Sequence, residues 1–151
     1  MNINVESKDS LFKAIDCLHD ATFSGNTLIH NEESKTLDIT LERGYWENKE
    51  NFKRKFIFPF IWRIEVPIVK CLLHLDNIKN YRVESNDKTL KQHSIKNIES
   101  KKDGFIIKCC EVLTIYFEIN GNPKGYLKDA LPPHRLSRHY NFFGIEFYKG
   151  V

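Results

Sequence analysis

A chain of 151 residues with 41% hydrophobic and 28% charged side chains is long enough to bury a core without disulfides or metals, and too apolar to stay disordered. Its net charge of +3 hides a gradient, because residues 1–50 carry 5 Lys/Arg against 10 Asp/Glu and residues 51–151 carry 18 against 10. The longest apolar run, Phe56 to Trp62, contains Pro59 and is too short to cross a bilayer, and Met1 to Glu6 lacks the basic and apolar regions of a secretory leader, so no membrane partner and a cytoplasmic, reducing setting are expected.

In chain order, residues 8–19 read as a helix. Leu11, Ile15 and Leu18 recur at i, i+4 and i+7, and Ser7 or Asp9 can cap the start. The period then changes to two. Thr36 to Glu42 alternates with Leu37, Ile39 and Leu41 inward, and pairs with Ala21 to His30 across Asn31-Glu32-Glu33-Ser34. Phe56 to Val66 places Phe56, Phe58, Phe60, Trp62 and Ile64 on one face, expected in the core. Pro59 and Pro67 cannot donate to a ladder, which marks this strand as an edge. Further strands read near 68–75, 78–84, 93–99, 104–110, 112–119 and 142–148. Asn120 to Gly125 reads as a loop and 126–131 as a short helical turn.

The fold class expected is therefore α+β, mostly antiparallel β, with a barrel-like or sandwich sheet and one N-terminal helix packed on it. No linker interrupts the chain, so residues 1–151 read as one domain. Cys17, Cys71, Cys109 and Cys110 form no C-x-x-C pair and read as free thiols, mostly buried as small hydrophobes.

Several landmarks recur together: His19-Asp20-Ala21 closing the helix, Tyr45-Trp46 ending the first hairpin, the strands Cys71 to Ser85 and Phe105 to Glu118, and Leu127-Lys128-Asp129 before Pro132-Pro133-His134. In that order and spacing the chain resembles domain of unknown function 2948, a family of small alphaproteobacterial proteins. The resemblance implies a small bacterial domain and no particular chemistry.

The densest cluster of polar chemistry is the segment Asp129 to Tyr140. Arg135 and Arg138 there have the donor geometry to clamp a phosphate or carboxylate, with His134 and His139 beside them, and Pro132-Pro133 stiffens the approach. No metal is expected. His134 and His139 are five apart rather than four, so they would share an ion only on a loop, with Asp129 as a third ligand. His74 and Asp76 share a strand face and read as a solvent-facing pair, with an oriented acid–base pair as the alternative. Cys17 and His19 point apart on a helix, which rules against a thiolate–imidazole dyad. No Gly-rich phosphate loop, G-x-S-x-G or H-E-x-x-H occurs, and no cofactor is expected.

The leading reading is a non-enzymatic binding module whose partner is an anionic small molecule or a protein, contacted through His134, Arg135, Arg138 and His139. One alternative is a hydrolase or transferase acting on a phosphorylated substrate with His134 or His139 as base. Another is weak binding of single-stranded nucleic acid by Lys53-Arg54-Lys55, Trp62-Arg63, Tyr81-Arg82 and Lys101-Lys102, with Tyr45, Trp46, Tyr81 and Tyr140 as the exposed rings. An unpaired edge over 56–66 would also invite a second copy of the chain.

Overall fold

The computed structural model describes residues 1–45, 52–85, 92–101, 104–110, 113–142 and 145–148. Trp46, Lys102, Val112 and the Phe143-Gly144 portion of the last strand lie outside the described residues. The chain is α+β and mostly antiparallel strand, with one N-terminal helix. Its packing falls into two compact units. One joins Met1–Arg43 to Cys71–Asp129, and the other joins Gly44–Lys70 to Ala130–Val151. The sequence reads as a single domain; all three crossings between the units, after Arg43, Lys70 and Asp129, fall inside strands, so no Pro- or Gly-rich linker marks them.

The elements are β1 (Asn2–Val5), α1 (Lys8–Asp16), β2 (Thr22–Phe23), β3 (Leu28–Asn31), β4 (Thr36–Gly44), β5 (Lys53–Phe58), β6 (Ile61–Ser85), β7 (His93–Lys101), β8 (Gly104–Cys109), β9 (Leu113–Phe142) and β10 (Ile145–Tyr148). The ladder runs β9-β8-β7-β2-β4-β6, and β6 also pairs with β9. That last pairing closes six strands into a barrel, which removes their free edges.

The first unit holds the core. Leu37, Ile39 and Leu41 of β4 are buried, as are Leu73 and Leu75 of β6 and Ile115 and Phe117 of β9. The period-two alternation of these strands sends one face inward and leaves the other for solvent. Helix α1 buries Leu11, Ala14 and Ile15 against the same cluster. Its start is a reciprocal cap, in which Ser7 Oγ accepts from the Ser10 N–H at 3.2 Å and Ser10 Oγ accepts from the Ser7 N–H at 3.0 Å. The helix stops at Asp16, three residues before the end expected at 19. The Leu18 and His19 N–H groups tighten onto the carbonyls three residues back, and Asp20 then turns left-handed at φ 64°.

Other boundaries also differ. The expected 21–30 strand is split: residues 28–30 pair with β4 within β3, while Thr22 of β2 pairs with Glu42 of β4 on one side and β2 pairs with β7 on the other. The strands expected at 68–75 and 78–84 form one continuous β6, bent at Asn77 with φ 61°. The expected loop at 120–125 and helical turn at 126–131 lie inside β9. Leu127 and Asp129 are buried while Lys128 and Ala130 are exposed, a period of two, and β1 pairs along this stretch from Gly125 to Lys128. Gly125 makes this possible. It sits at φ 149°, and a Cβ there would lie 2.0 Å from the His74 carbonyl oxygen.

The second unit is built from β5, the first part of β6, the last part of β9 and β10. It contains two hairpins. In one, β5 pairs with β6 from Lys53↔Glu65 to Phe58↔Ile61, turning at Pro59-Phe60. In the other, β10 pairs with β9 from Ile145↔Phe142 to Tyr148↔His139.

Candidate functional site: the aromatic and basic strands of the second unit

The segment 132–139 is neither a loop nor a crossover. It is extended strand within β9, with Leu131–Pro132 in the cis form. Side chains alternate along a strand, so His134 and Arg138 fall on one face and Arg135 and His139 on the other. On that parity the strand alone does not bring the two arginines together as the expected clamp would have them. Arg138 is moreover drawn to Glu65, with Nε 3.6 Å from Oε1, and Arg63 reaches the same oxygen at 3.0 Å. Arg135 and His134 are exposed, and His139 is half-buried.

Asp129 is an anchor within the first unit. Arg43 donates to it twice, from Nε to Oδ1 at 3.2 Å and from Nη2 to Oδ2 at 2.7 Å. The Met1 amino group donates to Oδ2 at 2.7 Å. Both carboxylate oxygens are thereby committed, which leaves Asp129 a poor third ligand for His134 and His139.

What the second unit displays instead is a set of exposed rings. Phe56, Phe58, Phe60 and Trp62, expected in the core, are 55%, 65%, 58% and 47% exposed. Ile57, at the bulge between Phe56 and Phe58, is 47% exposed. Phe56 and Trp62 face each other across the hairpin, edge to face at 5.1 Å. Tyr45, Tyr81 and Tyr140, the rings expected to be exposed, are half-buried. Of the eleven large hydrophobic side chains that are exposed among the described residues, nine belong to the second unit. The second unit carries nine Lys/Arg against four Asp/Glu, a net of +5, and the first carries fourteen against sixteen, a net of −2.

The alternation of Phe56 to Trp62 matches a half-buried strand, so periodicity alone placed these rings inside. The signal against that reading was present. Ile57 and Ile61 make the run apolar on both faces, while Pro59 confines it to an edge, where no second layer is available to cover two faces.

The first unit carries two further clusters of polar and aromatic side chains. His74 and Asp76 are joined by Asp38, which no spacing rule connects to them. His74 Nδ1 lies 2.5 Å from Asp38 Oδ1 and Nε2 lies 3.1 Å from Asp76 Oδ1. Tyr126 stacks on the ring at 4.9 Å. Burial pulls the imidazole down, but the hydrogen bonds and charges of Asp38 and Asp76 outweigh it, so its pKa stands above 6.5. With both nitrogens held by carboxylates, this is a clamp between β4 and β6 and not a base with a nitrogen to spare. The pair stands on the outward face of β6, where the His74 and Asp76 side chains are 21% and 43% exposed, and Asp38 joins it there.

The second feature is an open groove of about 530 Å³ with Phe105 and Phe117 at its floor and Tyr81, Arg82, Tyr116 and Glu118 around it. Arg82 lies over the Tyr116 ring at 4.7 Å and pairs with Glu84 at 3.1 Å. Burial pushes the Tyr81 hydroxyl up to about 12, which keeps it protonated. The groove has the size of a ligand pocket but brings no nucleophile together with a base.

Comparison with protein families, with curated proteins and with solved structures found no match.

Proposed function

We propose that the protein is a non-enzymatic binding module that works through the basic, aromatic surface of its second unit and takes an anionic partner. One observation supports this above others: exposed large hydrophobics and positive charge concentrate in the same unit. Rings exposed in such number are the usual mark of a contact surface. Each phenylalanine removed from water on binding contributes about 1.5–3 kcal/mol. Lys53, Arg54 and Lys55 are exposed beside the rings and supply the attraction for a negative partner. Arg135 adds to that charge from β9, while Arg138 is shared with Glu65.

A hydrolase or transferase using His134 or His139 as base is the second reading, and strand alternation leaves it one imidazole on either face. Among the described residues no helix is long and apolar enough to cross a membrane.

Binding to heparin, used as a generic polyanion, tests the reading. Changing Lys53, Arg54 and Lys55 together to Gln should weaken binding at least tenfold and lower the salt needed for elution. The matching change of Lys96, Lys124 and Lys128 in the first unit should leave it within twofold. Equal losses in the two triple variants, or none in either, would sink the assignment of the surface.

A further inference from the structure

We infer that the anionic partner is a lipid bilayer surface, and that the tip of the β5–β6 hairpin inserts into it. The inference rests on the binding-module reading above and names its partner.

The argument lies in how charge is distributed along the hairpin. From Phe56 to Trp62 there are seven residues and no charge. Directly behind them stand Lys53, Arg54 and Lys55 on β5 and Arg63 on β6. The pairing puts the boundary at one level on both strands, with Phe56 opposite Trp62 and Lys55 opposite Arg63. Apolar and cationic residues are therefore separated by distance from the tip and not by face. A hairpin that docked on a protein groove would need one apolar face. In this one a bulge pairs Phe56 with Trp62 and Phe58 with Ile61, neighbours on β6 that take opposite faces, so exposed rings stand on both sides of the hairpin. A tip apolar on both faces is suited to immersion.

The dimensions agree. Phe56 to the turn is three to four residues, about 10 Å at roughly 3.3 Å per residue. Interfacial segments sink about 5–10 Å into the boundary between headgroups and acyl chains. At that depth water still reaches the backbone. This matters because β5 ends the strand order and pairs with β6 alone among the described residues, leaving an edge that hydrocarbon would not tolerate. Trp62 is placed at the cationic boundary, the level at which tryptophan settles in bilayers. Lys53, Arg54 and Lys55 then meet the phosphates of anionic lipids, with Arg63 held at the same level by Glu65.

The same layout argues against the other partners. Single-stranded nucleic acid presents phosphates alongside every stacked base, so cations must be interleaved with rings, and here they are not. A second copy of the chain would bring two units of formal charge +5 together. A hairpin of this length does not span a membrane, so the expectation of no membrane partner, drawn from the lack of a span, does not bear on it.

The test is co-sedimentation of the full chain with vesicles of phosphatidylcholine alone or with about a third phosphatidylserine. Trp62 fluorescence is followed in a Trp46→Phe background, with brominated lipids reporting depth. We expect binding to the anionic vesicles, a blue shift and quenching of Trp62, and at least tenfold weaker binding to neutral ones. Phe58→Ser with Phe60→Asn should abolish insertion, whereas changing Lys96, Lys124 and Lys128 of the first unit to Gln should leave vesicle binding within twofold. Asn is chosen for position 60 because Phe60 sits at φ 72°. Heparin binding without vesicle binding overturns the lipid inference and leaves the binding-module reading standing. Loss of both in the wild-type chain overturns both. Ring quenching by oligo-dT without vesicle binding, or a dimer broken by the tip variant without vesicle binding, likewise overturns the inference and names the partner instead.

Discussion

The two units solve opposite problems with similar strands. In the first unit the alternating positions of β4, β6 and β9 go into one core, and several key charges are answered within the same unit: Arg43 by Asp129, His74 by Asp38 and Asp76, Lys108 by Glu99. In the second unit the alternating positions of β5 and early β6 face solvent, and the cations outnumber the carboxylates by more than two to one. The same period-two pattern therefore carries different meanings. In the barrel it encodes burial, because strand closure supplies an inside. In the edge hairpin there is no enclosed side for the pattern to specify, and the rings remain available for a partner.

This contrast predicts that stability is held by the first unit, and the largest effect should come from its buried ion pair. Arg43 and Asp129 side chains are 3% and 0% exposed. Asp129→Ala strands a buried guanidinium, for an expected loss of about 3–5 kcal/mol, read from the midpoint of urea unfolding. The comparison partner is Arg138→Ala in the second unit. Arg138 is 58% exposed and 3.6 Å from Glu65, so its loss should stay within about 0.5 kcal/mol. Similar costs for the two would erase the distinction between the units.

Next in size is Gly125→Ala. The new Cβ meets the His74 carbonyl, and φ 149° is a conformation that alanine avoids. A loss of about 1–3 kcal/mol is expected by the same unfolding measurement. A neutral result would mean that β6 and β9 do not approach this closely, and the closure of the barrel would be in question.

The legible parts of the fold were those set by local pattern. The β3–β4 hairpin and the β7–β8 pair follow from alternation around polar turns. The strand β9 was hidden because Gly121, Pro123 and Gly125 punctuate it, and those residue types signal loops unless a neighbouring backbone needs the room, as β6 does at Gly125. Asp38 lies thirty-six residues from His74, so no spacing rule could join them. A metal shared by His134 and His139 required 132–139 to be a loop. As a strand, its parity separates the same four side chains that the sequence groups together. The cationic run at 53–55 was visible throughout; what could not be seen was that the rings beside it are exposed.

A smaller, pH-dependent effect should come from His74. Its folded pKa is raised above 6.5, so its contribution is fully present below that value and is lost as the pH climbs through the folded pKa. The group is partly exposed and screened, which limits the contribution to under about 1 kcal/mol. His74→Gln should therefore cost most near pH 5.5 and least near pH 9 when the two proteins are unfolded side by side. A cost that grew with pH would mean that the imidazole is held neutral and that the carboxylates do not govern it.

The smallest expected effect is the sharpest test of the contrast. Phe58→Ser with Phe60→Asn removes two of the most exposed rings, 65% and 58% accessible, from the hairpin tip. In a core, losses of this kind cost about 3–5 kcal/mol per ring. Here they should change the unfolding free energy by no more than about 0.5 kcal/mol, because little apolar area leaves water when the tip folds. Melting temperatures of wild type and variant should therefore coincide within a few degrees, while vesicle binding is lost. A large fall in stability would show that these rings are buried in solution, by this chain or by a second copy, and would return them to the structural role that their alternation first suggested. Coincident melting curves with divergent binding would separate what the first unit does for the fold from what the second does for its partner.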